Sequence, residues 1–247
     1  MPTCFRVWQT DGVMEEFGCT ADSLQYYYVP GVGMEIANWF LDLVVSPEGN
    51  QVHVSYQQDK VSTIYQGTTY TYPRDTVLST IEWDSPSCVN STTACTTGGT
   101  APNKWAPQYR VSFAASHSPS RLTNTPSGCN TGTNMRCDDP LDLSGSGGIG
   151  APEVQHTFVL NDIDVQANES GTWDTLRDYR MSYEQSGPSG ATAYKDSTTG
   201  KYESTAGMLD LTAIQQYGDD GSTAYPATTL GYTTADESYI DSTFYPL

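Results

Sequence analysis

Basic residues are scarce in this chain: 11 Lys and Arg stand against 29 Asp and Glu, a formal charge of −18 at neutral pH. Such a surface repels phosphate backbones and anionic lipid, so nucleic acid is not an expected partner and neither is direct membrane insertion. Histidine is scarcer still, with His53, His117 and His156 far apart and no His-x-x-x-His pair to hold a catalytic zinc. No run of 18 apolar residues is present to span a bilayer as a helix, and no signal peptide is visible in this chain. Sustained helical periodicity with caps is also missing, and only residues 20–28 leave room for a short helix.

Catalytic patterns are equally thin. No Gly-x-Ser-x-Gly elbow supports a hydrolase triad. Gly145 to Gly150 matches G-x-G-x-x-G, but Ala151-Pro152 and a strand follow where a helix should receive a pyrophosphate, so it reads as a linker. Asp162-Ile163-Asp164 opens like a calcium loop and then places Ala167 where the sixth-position Gly belongs. Glu15, Glu16, Asp42 and Glu184 read as solvent-facing strand positions rather than catalytic carboxylates. No catalytic residue, cofactor or metal is expected.

What is abundant is Tyr, 17 of 247 residues, together with Thr, Ser and Gly, a composition that suits pleated sheets and predicts an all-β fold. Turn chemistry then divides the chain. Asp11-Gly12 sits between two alternating runs, a strong hairpin signal, with Cys4 and Cys19 placed to clamp its open end. Residues 39–45 and 51–56 flank a Pro47/Gly49 turn; His53, between Val52 and Val54, would face the other way, toward solvent. Residues 76–83 and 108–114 form a third pair around an irregular loop holding Cys88 and Cys95, and 157–165 and 176–183 a fourth. Residues 209–232 form a fifth around Asp219-Asp220-Gly221. Residues 116–152 are a long polar insertion carrying Cys129 and Cys137. The expected organisation is one continuous β domain with hairpin units over 1–115 and 153–247 on either side of that insertion.

The six cysteines fall as three local pairs in Gly/Ser/Thr/Pro-rich loops, which suits short disulfides and an oxidising compartment, secreted or cell-surface, with connectivity left open. Two glycosylation sequons, at Asn90 and Asn168, are no more than chance supplies in so Asn/Ser/Thr-rich a chain.

One phrase recurs. A Leu-x-x-Ile/Val pattern appears at Leu41–Val44, Leu78–Ile81, Leu160–Ile163 and Leu211–Ile214. Each return run closes with an apolar, a small and an aromatic residue: Val54-Ser55-Tyr56, Val111-Ser112-Phe113, Met181-Ser182-Tyr183 and Leu230-Gly231-Tyr232. Recurrence in order, with length variation confined to the turns, indicates one hairpin unit used repeatedly, since a lone hairpin cannot bury its apolar face. The expectation is a series of antiparallel hairpins forming an extended curved sheet, with the repeated Leu and Ile/Val residues as its core stripe. Tyr56, Phe113, Tyr183 and Tyr232 would sit between successive hairpins.

The stretch Leu176-Arg-Asp-Tyr-Arg-Met-Ser-Tyr-Glu184, with Leu211 to Gly221 and Pro226-Ala-Thr-Thr-Leu-Gly-Tyr232, resembles the hairpin units of Rhs/YD-repeat shell proteins, which include toxin-complex B components and teneurin-type proteins. The family's Tyr-Asp-x-x-Gly-Arg repeat is absent here, as is its self-cleaving core segment; Asp139-Pro140-Leu141-Asp142-Leu143 has Asp142 where that signature has Gly. The resemblance implies a non-enzymatic piece of shell wall that encapsulates or displays a toxin or effector. Its partners would be the remaining shell segments of a larger polypeptide or a partner protein. Two alternatives come from other classes: an extracellular β-sandwich that binds glycan or protein, its tryptophans Trp8, Trp39, Trp83, Trp105 and Trp173 offering stacking surfaces, and a glycosidase.

Overall fold

The computed structural model describes residues 4–29, 31–88, 94–122, 156–185, 193–195, 202–204 and 209–232. Ten strands form one antiparallel sheet: β1 (Phe5–Trp8), β2 (Met14–Phe17), β5 (Leu41–Val45), β6 (Gln51–Tyr65), β7 (Thr68–Trp83), β8 (Tyr109–Ser116), β9 (Val159–Glu169), β10 (Thr172–Gln185), β13 (Leu209–Tyr217) and β14 (Thr228–Thr229), neighbours in that order. They are five consecutive hairpins side by side. Two small two-stranded sheets, β3 (Leu24–Val29) with β4 (Gly33–Trp39) and β11 (Ala193–Lys195) with β12 (Tyr202–Ser204), complete the described elements. The fold is all-β, and among the described residues the ten-stranded sheet is open, with no second large sheet packed face to face on it.

The helix allowed over residues 20–28 does not form. Tyr26-Tyr27-Tyr28-Val29 prefers extended backbone, and Gly31 and Gly33, at φ +80° and +116°, fold the chain back onto it as β4. Local turn chemistry elsewhere works as the sequence indicates. At Asp11-Gly12 the glycine takes φ +89°, and its N–H donates to the Gln9 carbonyl at 3.0 Å. One turn carries a weaker signal. Gln66-Gly67, with both φ values positive at 48° and 77°, joins β6 to β7 in the two-residue turn that matches strand twist, and the two strands run on to 15 and 16 residues. Residues 57–75, for which the sequence alone indicates no element, are therefore a β arm extending past the neighbouring strands.

The repeated phrase acquires its physical meaning from register. Residues three apart in a regular strand face opposite sides, so Leu-x-x-Ile/Val would not make one stripe. In each ladder joining one hairpin to the next, the strand carrying the phrase has one extra residue. Glu16 pairs with Leu43 and Phe17 with Leu41, leaving Asp42 over. The pairs Ser55–Thr80 and Tyr56–Leu78 leave Ser79, and Ala114–Asp162 and Ala115–Leu160 leave Asn161. Ser182–Ala213 and Tyr183–Leu211 leave Thr212. This β-bulge absorbs one residue, so Leu and Ile/Val return to the same face. The extra residue is small and polar every time. Asp42 accepts hydrogen bonds from Thr20 N–H at 2.9 Å and the Ser23 hydroxyl at 2.7 Å, Asn161 donates to the Ser116 hydroxyl at 2.7 Å, and the Thr212 hydroxyl donates to the Ser182 carbonyl at 3.1 Å.

The same register corrects one alignment. Phe113 pairs with Ile163, as Val54 pairs with Ile81 and Met181 with Ile214; the residue opposite Leu160, in the place that Tyr56 takes opposite Leu78 and Tyr183 opposite Leu211, is Ala115. The second copy closes with Phe113-Ala114-Ala115, two residues beyond the triplet read from the sequence. Tyrosine at this position has a specific task. Tyr56, Tyr183 and Tyr232 each donate their hydroxyl to the carbonyl of the first leucine of their own hairpin, Leu41, Leu160 and Leu211, at 2.8, 2.5 and 3.0 Å. Ala115 cannot make that bond, and neither could Phe113.

Burial also departs from the expected core stripe. Leu41, Leu78, Leu160 and Leu211 were expected in the core, yet all four are only half-buried. The apolar face that they share with Val44, Ile81, Ile163 and Ile214 is covered only in part: Leu160, Ile163 and Leu211 pack, with Leu122, against buried Val159, Met181 and Tyr183. Full burial occurs instead where something folds over the sheet: Met14, Leu43 and Val45 form one cluster, and Val159, Met181 and Tyr183 another. The return strand of the last hairpin is shorter than expected, Thr228–Thr229, because Pro226 has no N–H to contribute to a ladder.

Candidate functional site

Antiparallel order sorts the connections. Turns within hairpins, residues 9–13, 46–50, 84–108, 170–171 and 218–224, lie at one end of the sheet; the longer excursions after β2, β6, β8 and β10 leave from the other, beside the bulges.

At the excursion end, both roots of the connection between β8 and β9 are fastened. Arg121 donates from Nε to the Met181 carbonyl at 2.8 Å, pairs with Asp162 at 2.7 Å, and also binds the Asn161 carbonyl. On the returning side, the Asp75 carboxylate accepts from the backbone N–H of Thr157 at 2.7 Å and of Phe158 at 3.0 Å. The His117 ring stacks on Phe158 with centroids 4.8 Å apart, and its Nε2 lies 3.4 Å from Asp59, which also holds Arg74 at 2.7 Å. Cys129, Cys137 and the Gly145–Gly150 run fall between these roots, outside the described residues.

The opposite, polar face carries Asp162, Asp164 and Asp178 beside Arg110 and Arg180. Burial, then the charges of Asp178 and Asp162, raise the Asp164 carboxyl above its ordinary value. Arg180 binds Asp178 at 2.6 Å and lies 3.9 Å over the Tyr217 ring, and Arg110 lies 4.2 Å over Trp173. Asp162 is held by Arg121 in turn, and Arg110 donates from Nε to the Gln166 side-chain oxygen at 2.5 Å. Glu16, Cys19 and Asp42 place potential ligand atoms within 4.8 Å of one another. Their donors are already taken: Cys19 is disulfide-bonded to Cys4, Glu16 pairs with Arg6 at 2.6 Å, and Asp42 accepts from the chain leaving β2.

The turn end is different in character. The loop of residues 84–108 is closed by the Cys88–Cys95 disulfide, whose cysteines pack on Trp105. The Trp105 ring stacks on His53 at 3.6 Å, and its Nε1 donates to Glu82 at 3.1 Å. His53 was expected in solvent; it does face away from Val52 and Val54, but this loop covers it, and burial pushes its pKa down to about 4. Beside the loop, on the apolar face, lies an open cleft of about 430 Å³. Val13, Val44, Val52, Trp83 and Tyr109 supply its apolar lining and Ser46, Asn50, Asp84 and Ser85 its polar rim. Trp83 and Tyr109 are cross-strand partners whose rings lie 24° from parallel with centroids 6.0 Å apart. The other tryptophans are elsewhere: Trp39 against Phe5, Trp105 buried, Trp173 beneath Arg110, and Trp8 exposed on β1. The sequence set Trp83 and Tyr109 in paired strands and marked the Pro47/Gly49 turn and the loop holding Cys88 and Cys95, but held no signal that this turn and loop meet around the two rings.

No family model matches the chain, and a search of curated proteins finds no match. Solved structures do resemble it. The crystal structure of TcdB2-TccC3-Cdc42 matches at a TM-score of 0.53 with 15% identity, covering 93% of this chain and 10% of that one. That of TcdB2-TccC3 matches at 0.51 with 14% identity, covering 92% and 10%. The N-terminal domain of the effector protein SpvB from Salmonella typhimurium strain LT2 matches at 0.51 with 13% identity, covering 87% and 61%. The chain thus spans about a tenth of the two toxin-complex chains. At these identities the likeness is one of fold, and it is to toxin-complex and effector components.

Proposed function

We propose that this chain is a non-enzymatic wall segment of a secreted or cell-surface β-shell of the Rhs/YD type, working by geometry rather than by chemistry. The observation that carries the reading is the bulge common to all four ladders between hairpins, each with a small polar residue as the extra one. A unit that keeps its register from copy to copy can be extended indefinitely side by side. The outer strands β1 and β14 have partners on one side only among the described residues, so further hairpins can pair there. Likeness in fold to toxin-complex and effector structures supports a toxin-related setting, with the remaining shell segments as partners. Two disulfides favour an oxidising compartment.

Cryo-electron microscopy of the natural polypeptide that carries this segment tests the proposal. The expected image is a hollow particle with these hairpins in its wall; a solid particle, or a free-standing module joined only by linkers, would overturn it. A panel of chromogenic glycosides should show no turnover above buffer, and measurable hydrolysis would return the glycosidase reading to first place.

A further inference from the structure

From the cleft at the turn end of the sheet we infer that this segment binds a neutral glycan, one sugar ring lying against Trp83 and Tyr109. The inference goes beyond the wall reading and does not depend on it.

Its volume, about 430 Å³, falls among small-molecule sites, which run from about 300 to 1,000 Å³ and combine apolar walls with a few placed polar groups. A pyranose has the complementary chemistry: C–H groups on its faces pack on aromatic rings, while hydroxyls around its edge need donors and acceptors. Two aromatic rings within 24° of parallel supply the first, and Asn50, Asp84 and Ser46 supply the second. Tyr109 is 40% exposed, so part of this surface is open to a ligand. The rim is held by structure rather than left to a mobile loop: Ser46 N–H donates to the Asn50 carbonyl at 2.9 Å, and Cys88 N–H to the Ser85 carbonyl at 2.9 Å. Charge selects among glycans. Asp84 on the rim and −18 on the whole chain oppose sulfated or uronic sugars, and no Lys or Arg among the described residues lines the cleft to receive them. An apolar peptide would satisfy Trp83 and Tyr109 but would leave the amide and carboxylate rim without partners.

The test is titration of cellohexaose, chitohexaose and maltohexaose into the purified chain, followed by tryptophan fluorescence and calorimetry, with a heparin hexasaccharide as the anionic comparison. At least one neutral hexaose is expected to bind, with affinity at least tenfold weaker in Tyr109→Ala and in Asn50→Ala and unchanged in Trp173→Ala. Because Trp83→Ala removes a half-buried ring and can unfold the chain, the exposed Tyr109 position decides, with thermal melts showing that the variant is folded. Binding of no neutral hexaose at millimolar concentration, tighter binding of heparin, or unchanged affinity in folded Tyr109→Ala would each overturn the inference. Cryo-electron microscopy decides the wall reading separately, so the two can fail independently.

Discussion

His53 shows how much a single side chain can depend on what lies over it. Flanked by valines, it reads as an outward-facing strand residue, yet the Trp105 ring covers it at 3.6 Å and burial lowers its pKa to about 4. A histidine whose folded pKa lies below its unfolded value of about 6.5 favours the neutral form, so its contribution to stability is complete above pH 6.5 and disappears as pH falls through 4. Thermal melts should therefore drop between pH 6.5 and 4 in the natural chain and drop less in His53→Gln; identical pH profiles would mean that the loop is not seated on this ring. Truncations should rank by burial. Met181→Ala removes a side chain that is 5% exposed and is expected to cost about 2–5 kcal/mol, whereas Leu160→Ala, half-buried at the margin of the same cluster, should cost less, about 1–2 kcal/mol. Urea midpoints that invert this order would place a covering layer over Leu160.

Among the elements, the bulge fixes which side chains face which way. Ser79 is the extra residue between β6 and β7, and its presence puts Leu78 and Ile81 on one face. Deleting Ser79 forces either Leu78 or Ile81 through to the polar face and breaks the pairing of Tyr56 with Leu78. Loss of cooperative urea unfolding is expected for the deletion, and Ser79→Ala, which keeps the residue count, should unfold cooperatively with a midpoint close to that of the natural chain. Equal behaviour of the two would show that side-chain chemistry, not count, sets the register. The tyrosine hydroxyls act at the same scale, tying each return strand to the first leucine of its hairpin in three copies, while Ala115 leaves the copy between them without the tie.

For the molecule as a whole, the consequence is an open sheet with one apolar face only half covered. Leu41, Leu78, Ile81, Ile163 and Leu211 are all partly exposed there, and Val7, Trp8 and Phe5 are exposed on the outer strand β1. Contiguous apolar surface and an unpaired strand edge both invite association. Sedimentation velocity on the isolated chain should show concentration-dependent self-association that weakens when Val7 and Trp8 are replaced by Lys; a monomer at all concentrations would mean that the face is covered by residues outside those described.

The all-β class, the turns at Asp11-Gly12 and Asp219-Asp220-Gly221 and the recurrence of Leu-x-x-Ile/Val are legible in the amino-acid sequence because turn geometry and strand preference are local properties. The proximity of Cys4 to Cys19 and of Cys88 to Cys95 is local too, and both pairs are bonded. Residue identity alone could not say which position is extra in a ladder, since a bulge is defined only against the partner strand; that is why the counterpart of Tyr56 proved to be Ala115 rather than Phe113. Nor could it show that loop 84–108 folds over His53, or that Trp83 and Tyr109 share a cleft with Asn50. Those placements depend on contacts between segments far apart in the chain, and such contacts exist only once the hairpins have stacked.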